Sequence, residues 1–182
     1  MKNRISTRDL VQIALCSAII TICSWISLNI STVPFTLQTA GICLTAGLLG
    51  WKKGTISVIV YLLLGAIGLP VFAAFHSGFG TLLGMTGGYL WGFVLTSLIA
   101  GFAADRYGRT MPVMIIAMVL GTVACYITGT AWFIYVYAAQ VGPIGVMGAL
   151  SMCVFPYLIP DAAKVVLAAL IVRRIHPHIN KA

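Results

Sequence analysis

Towards its C-terminal end the chain reads Phe155-Pro156-Tyr157-Leu158-Ile159-Pro160-Asp161-Ala162-Ala163-Lys164, then stays apolar to Val172 before Arg173-Arg174 closes the run. A carboxylate and an ammonium stand three residues apart, so a helix would carry them on one face. Charges inside an apolar run are costly and face a partner, a cavity or a bound ligand. Pro160 suits the first turn of a helix, where its missing N–H costs nothing. Asp161 and Lys164 then fall in the first turn or so, beside free N–H groups and the positive end of the helix dipole. Such a site can recognise a polar guest. The alternative is an ion pair that ties the last helix to a neighbour; a pair kept for packing alone is disfavoured, because two buried ions gain little over apolar residues.

Other chemistry is missing from the sequence. The only acids are Asp9, Asp105 and Asp161, with no Glu anywhere. There is no phosphate-binding Walker loop, no His-Glu-x-x-His and no serine nucleophile elbow. One acid and one lysine within apolar surroundings are too few for most hydrolytic schemes, so binding or transport is the expected class and an enzyme is not. The rival is a membrane enzyme using His76 or Asp161 as a base, which would be known by its product. Cys16, Cys23, Cys43, Cys125 and Cys153 all sit in apolar runs without a Cys-x-x-Cys pair. They read as buried filler, and no metal, disulfide framework or cofactor is expected.

The elements that must position these groups follow from composition. Of 182 residues, 60% are hydrophobic and 8% charged, against about 25% charged in a soluble domain. The chain is expected to be an all-α integral membrane protein forming a single domain over residues 1–182. Its +8 net charge forms no basic stripe with interleaved aromatics, so nucleic acid is not an expected partner. Residues 10–51, 54–104 and 110–160 contain no charge. One span takes about 20 apolar residues, so each block holds an out-and-back pair. The predicted helices cover about 10–30, 38–50, 55–72, 82–103, 111–138 and 160–174, with a short or re-entrant segment at 142–157. The N-terminus has the basic start of a signal peptide, but the run 10–30 is longer than the roughly 7–15 residues of a cleavable one. Every Lys and Arg except Lys164 falls at the termini or in the even-numbered loops, which predicts both termini in the cytoplasm.

Several further groups carry two readings each. Ala14 and Ala18, with Ser17 beside them, form a small-residue ridge for another helix or for internal packing. The first outer loop, 29–39, is polar and uncharged; with a short second helix it either dips to line a cavity or simply connects. A break is expected at Gly68-Leu69-Pro70. His76, in the outer loop 73–80, is either solvated or a ligand contact. Gly84, Gly87, Gly88 and Gly92 surround Thr86, Tyr89 and Trp91. They serve either helix packing or the close approach of a planar ligand, with Tyr89 as its wall. Thr128, Thr130, Trp132, Tyr135 and Tyr137 suit an interfacial belt.

Four stretches together resemble the BioY family, the biotin-binding membrane subunits of energy-coupling factor transporters. They are Val33-Pro34-Phe35-Thr36-Leu37-Gln38-Thr39, Gly68-Leu69-Pro70-Val71-Phe72, Gly84-Met85-Thr86-Gly87-Gly88-Tyr89-Leu90-Trp91-Gly92-Phe93, and Pro156-x-x-x-Pro160-Asp161-x-x-Lys164. The resemblance implies six transmembrane helices in a bacterial cytoplasmic membrane and an outward pocket capped by the first outer loop. It implies biotin as the ligand. Asp161 would accept ureido N–H bonds, and Lys164 would either neutralise Asp161 or meet the ligand carboxylate. Tyr89, Phe35 and Trp132 would sandwich the rings, Thr36, Gln38 and Thr86 would supply neutral hydrogen bonds, and Gly87 and His76 would join the site. Ala14 and Ala18 would dock on a transmembrane coupling subunit driven by two ATPase subunits. A sister subunit for another vitamin, or a solitary carrier, would share most of these features.

Overall fold

Ser6 and Asp9 start the first helix by capping each other. The Ser6 N–H donates to Asp9 Oδ2 at 3.1 Å and the Asp9 N–H to Ser6 Oγ at 3.2 Å, a reciprocal arrangement that satisfies donors otherwise left over at a helix start. The structure is a computed structural model that describes residues 6–28 and 34–179. Lys2, Arg4 and Lys181, the loop centre 29–33 and the expected end of the first helix lie outside the described residues. Helix α1 spans Thr7–Trp25, stopping short of residue 30. The Trp25 indole donates to the Pro70 carbonyl at 2.8 Å, and the chain then forms a strand. That strand, β1 (Ser27–Leu28), pairs antiparallel with β2 (Phe35–Thr36).

Helix α2 covers Gln38–Ala66 but breaks at Gly50, where φ is 74° and ψ −173°. A Cβ added to Gly54 would lie 3.0 Å from Ala46 Cα, although eight residues along a straight helix separate them by about 12 Å. The two arms are therefore folded back side by side. The expected helices 38–50 and 55–72 are corrected accordingly: no loop separates them, because one glycine in a left-handed conformation makes the turn. The second arm ends at Ala66, well before 72. Gly68 has φ 104°, and the Phe72 ring lies against Gly65, where a Cβ would overlap it. After a single 3-10 turn, Ala73–Phe75, comes the five-residue α3 (Phe79–Leu83).

Helix α4 is Gly87–Tyr107, displaced from the expected 82–103. Extended backbone at Gly84 separates it from α3, so Gly84 stands ahead of α4 and not on it. Helix α5 runs Met111–Gln140, with Pro112 in its first turn. Short α6 (Val146–Cys153) lies within the expected 142–157 segment, and a 3-10 turn at Phe155–Tyr157 follows. Helix α7, Leu158–Ile179, outruns the expected 160–174 at both ends. Pro160 falls inside its first turn, and Arg173 and Arg174 are exposed rather than terminal.

Among the described residues five helices are long and apolar enough to cross a membrane, the last taking in α6 and α7. Two cores hold them. One includes the large side chains Tyr61, Phe72, Tyr89, Phe93 and Phe133. The other, nearer the basic loops, is built from Ala46, Ala100, Ala104, Met114, Met118, Ala169 and Val172. Small residues let backbones approach there; a Cβ on Gly47 would come within 2.6 Å of Val172 Cγ2. At the basic end Lys53 pairs with Asp9 at 2.7 Å and Arg109 with Asp105 at 3.0 Å. Asp105 also accepts the Trp51 N–H at 3.0 Å, and Arg109 Nε donates to the Gly47 carbonyl at 2.7 Å, which fixes the α2 turn.

Gly50→Ala forces a Cβ into the left-handed region and against the Asp105 carboxylate. It is expected to cost about 1–3 kcal/mol and lower the unfolding midpoint in detergent by several degrees. Gly145→Ala, with open space around it, serves as the control. Equal midpoints for both variants would refute this account of the turn.

Candidate functional site

A cavity of about 540 Å³ lies between β2, the start of α2, the 72–76 loop, α4, α5 and α7. That volume is in the usual range for small-molecule sites. Asp161 and Lys164 both line it, with side chains only 9% and 7% exposed. Lys164 Nζ donates to Asp161 Oδ1 at 2.7 Å and to the Thr36 carbonyl at 2.6 Å. It also lies 4.0 Å from the Phe35 ring centroid, a favourable placement for a cation on an aromatic face. The Tyr126 hydroxyl donates to Asp161 Oδ2. The last helix therefore offers a carboxylate and an ammonium that are paired and still at a cavity wall.

Hydrogen-bonding capacity remains on both groups. An ammonium has three donors and a carboxylate about four acceptor positions. Among the described residues Lys164 spends two donors, and each Asp161 oxygen accepts one bond. About one donor and two acceptor positions are left for a guest. Lys164 thus pairs with Asp161 and ties α7 to β2; the other reading, a contact with a ligand carboxylate, would fall to its remaining donor.

The remaining walls are mixed. Thr36, Gln38, His76, Thr86 and Tyr89 line the cavity. Gln38 is already committed: its Oε1 accepts from Thr36 Oγ1 at 3.2 Å, and its Nε2 donates to the buried Tyr61 hydroxyl. The Tyr89 hydroxyl lies 3.0 Å from Thr130 Oγ1, and its ring rests on Gly129. His76 is exposed at the rim, with Nδ1 2.8 Å from the Ala73 carbonyl. The same loop is fastened across to the β1 side. Trp25 stacks on Phe75 at 5.1 Å, the Ala74 N–H donates to Ser27 Oγ at 3.3 Å, and Ala74 and Phe75 both hold positive φ, 52° and 61°.

Three expected contacts are corrected, because Phe35, Gly87 and Trp132 do not line the cavity. Phe35 covers the Lys164 ammonium and stacks on Tyr157 at 6.3 Å. Gly87 packs against Leu82, where a Cβ would overlap backbone. Trp132 lies over Gly88, and its indole donates to the Gly84 carbonyl at 2.9 Å. The aromatic walls are instead Phe72, Tyr89, Phe93, Tyr126 and Tyr157. Tyr126 escaped sequence reading. Its one signal is a hydroxyl deep in an apolar stretch of α5, needing a partner that only another helix can give. Ala14 and Ala18 are exposed on the outer face of α1. Ser17 is not on their ridge; it is buried and donates to the Ser57 carbonyl at 2.9 Å. No group of three or more His, Cys, Asp or Glu able to hold a metal ion occurs among the described residues.

Comparison with known proteins adds the following. A family model described as the BioY family matches residues 1–181. The biotin transporter BioY of Thermotoga maritima is 37% identical over 92% of this chain and 95% of its own length. A biotin transporter BioY of Lactococcus lactis subsp. cremoris is 32% identical over 96% of this chain and 94% of its own. Among solved structures, the S-component for biotin from an ECF-type ABC transporter superposes with a TM-score of 0.82 at 31% identity. It covers 97% of this chain and 95% of that one. These relatives are named as transporters or as a transporter component, which agrees with the run of apolar helices in a multi-pass membrane protein.

Lys164→Met leaves the Asp161 carboxylate buried without its counter-ion and is expected to cost about 3–5 kcal/mol. Adding Asp161→Asn should recover most of that loss. Thermal unfolding of the two single variants and the double variant measures the coupling; additive losses would show that the pair contributes nothing as a pair.

Proposed function

The chain belongs to the BioY family, and from that premise we propose that it is the biotin-capture subunit of an energy-coupling factor uptake transporter. The observation that carries the reading is the Asp161–Lys164–Tyr126 cluster on the cavity wall. Biotin carries a ureido group with two N–H donors, apolar rings and chain, and a carboxylate. Two free acceptor positions on Asp161 match the two ureido donors as charge-assisted bonds, and the spare Lys164 donor is left for a ligand oxygen. Tyr89, Phe93 and Tyr157 offer apolar wall for the rings, while Thr86 and the rim His76 offer neutral polar contacts. Gln38, already spent on Thr36 and Tyr61, acts mainly by shaping the wall.

Binding needs no cofactor and no chemistry on the ligand. The work of transport falls to a transmembrane coupling subunit and two ATPase subunits. The exposed ridge of Ala14 and Ala18 is the proposed contact for the first of these, because small residues let a partner helix come close. Counting each arm of α2 as a pass gives six, with both termini on the cytoplasmic side of a bacterial plasma membrane. Support for that orientation comes from Lys53, Arg106, Arg109, Arg173 and Arg174, all at one end, against an opposite end that carries the cavity.

Purified protein is expected to bind biotin without ATP. Asp161→Asn should weaken binding by about 10-fold or more, equivalent to about 1.4 kcal/mol. Tyr126→Phe, which loses the bond that orients the carboxylate, should weaken it by about 2- to 10-fold. Titration calorimetry reads both, and a competition panel of other vitamins tests the ligand assignment; unchanged affinity in Asp161→Asn removes that residue from the site. A second expectation concerns the ridge. Ala14→Leu with Ala18→Leu should leave biotin affinity intact and reduce uptake in vesicles containing the complete transporter. Full uptake by that variant would place the contact elsewhere.

A further inference from the structure

A second hollow, of about 680 Å³, lies on the surface between α4 and α5. Leu98, Phe102 and Tyr107 of α4 form one wall, Ile116 and Leu120 of α5 the other, and Trp51 closes the basic end. Phe102, Ile116 and Leu120 are each more than half exposed, at 56%, 61% and 56%. At about 1.5 Å per helical residue, Leu98 to Tyr107 spans roughly 13 Å. That is close to one leaflet of a hydrocarbon core about 30 Å thick. A slot of this depth and lining suits one acyl chain.

The mouth of the slot selects the headgroup. Lys52 Nζ lies 5.3 Å from the centroid of the Trp51 ring, and Arg106 directly precedes Tyr107 in the last turn of α4. Both cations are exposed, and neither takes part in a salt bridge among the described residues. The acid beside them, Asp105, is held by Arg109 and by the Trp51 N–H, each at 3.0 Å. Uncommitted cations at a bilayer surface draw anionic headgroups over zwitterionic ones, and Trp and Tyr suit that level of the membrane.

From this juxtaposition we infer that the α4–α5 cleft is a binding site for an anionic phospholipid. One acyl chain lies between Phe102 and Ile116, and the phosphate meets Lys52 and Arg106. The site takes only its leaflet, the cytoplasmic one, from the orientation proposed above; it stands whether or not biotin is the ligand of the cavity.

The test uses full-length, delipidated protein in neutral detergent. It is titrated with phosphatidylglycerol or with phosphatidylcholine of the same acyl chains while thermal unfolding is followed. Phosphatidylglycerol is expected to raise the midpoint by about 3–5 °C near tenfold saturation, and phosphatidylcholine by clearly less. Lys52→Gln with Arg106→Gln should abolish the difference. Arg173→Gln with Arg174→Gln removes the same charge from α7 and should preserve it. Equal responses to the two lipids, or loss of preference in the α7 variant as well, overturn the proposal. Inorganic phosphate should not shift the midpoint; a matching shift would mean a soluble-anion site and also overturns it. If the Lys52/Arg106 variant does not fold, native mass spectrometry of wild-type protein from mixed vesicles decides. Phosphatidylglycerol carried above its bulk fraction supports the site, and carriage at the bulk fraction refutes it.

Discussion

The Lys164 ammonium is the constraint around which the half of the molecule that carries the cavity is arranged. An ion withdrawn from water must be matched in charge and hydrogen-bonded, or it costs several kcal/mol. Here the matching groups come from three places: Asp161 on the same helix, the Thr36 carbonyl on β2, and the face of Phe35. Residues far apart in the chain are thus brought together by one charge. The short pairing of β1 with β2 keeps the Thr36 carbonyl aimed inward, and Phe35 turns its ring toward the ammonium and Tyr157 instead of the cavity. Tyr126 completes the set by holding the other carboxylate oxygen from α5.

The chain's three acids divide into two duties. Asp9 and Asp105 sit at the basic end, where Lys53 and Arg109 hold them and where they fasten α1, the α2 turn and the start of α5 together. Those pairs are partly exposed, with the Lys53 and Asp105 side chains at 38% and 40%, so each contributes modestly by charge alone. Their value is geometric. Asp161 is the one acid placed far from that end, and it is the one at the cavity.

Much of this was legible in the sequence. A carboxylate and an ammonium within an apolar run stand out because lipid and packed side chains tolerate neither, and they do converge on the cavity. Long charge-free blocks likewise mark the helical spans. What failed depended on direction rather than composition. Phe35, Gly87 and Trp132 are of types that suit a ring-binding site, yet which way each points is set by neighbours distant in the chain. The α2 reversal is made at Gly50, ahead of Lys52 and Lys53, because a positive φ and not a charge turns the backbone. Ser17 looked like part of the Ala14–Ala18 ridge, but it stands about 100° round the helix from Ala18, on the boundary where its hydroxyl turns inward to the Ser57 carbonyl. Tyr126 could be weighed only once α5 was seen to face α7.

The two cores differ in grain. Around the cavity they are aromatic and loosely enclosing; toward the basic end the core is built from Ala46, Ala100, Ala104 and Ala169, the α4 backbone at Gly101 lies directly against Gly50 and Trp51, and Met114 and Met118 fill the space at Gly47. The molecule is shaped like a cup with a solid floor. To drill a conduit through that floor would mean prising the Gly50–Trp51 main chain off Gly101, where there is not even room for a Cβ.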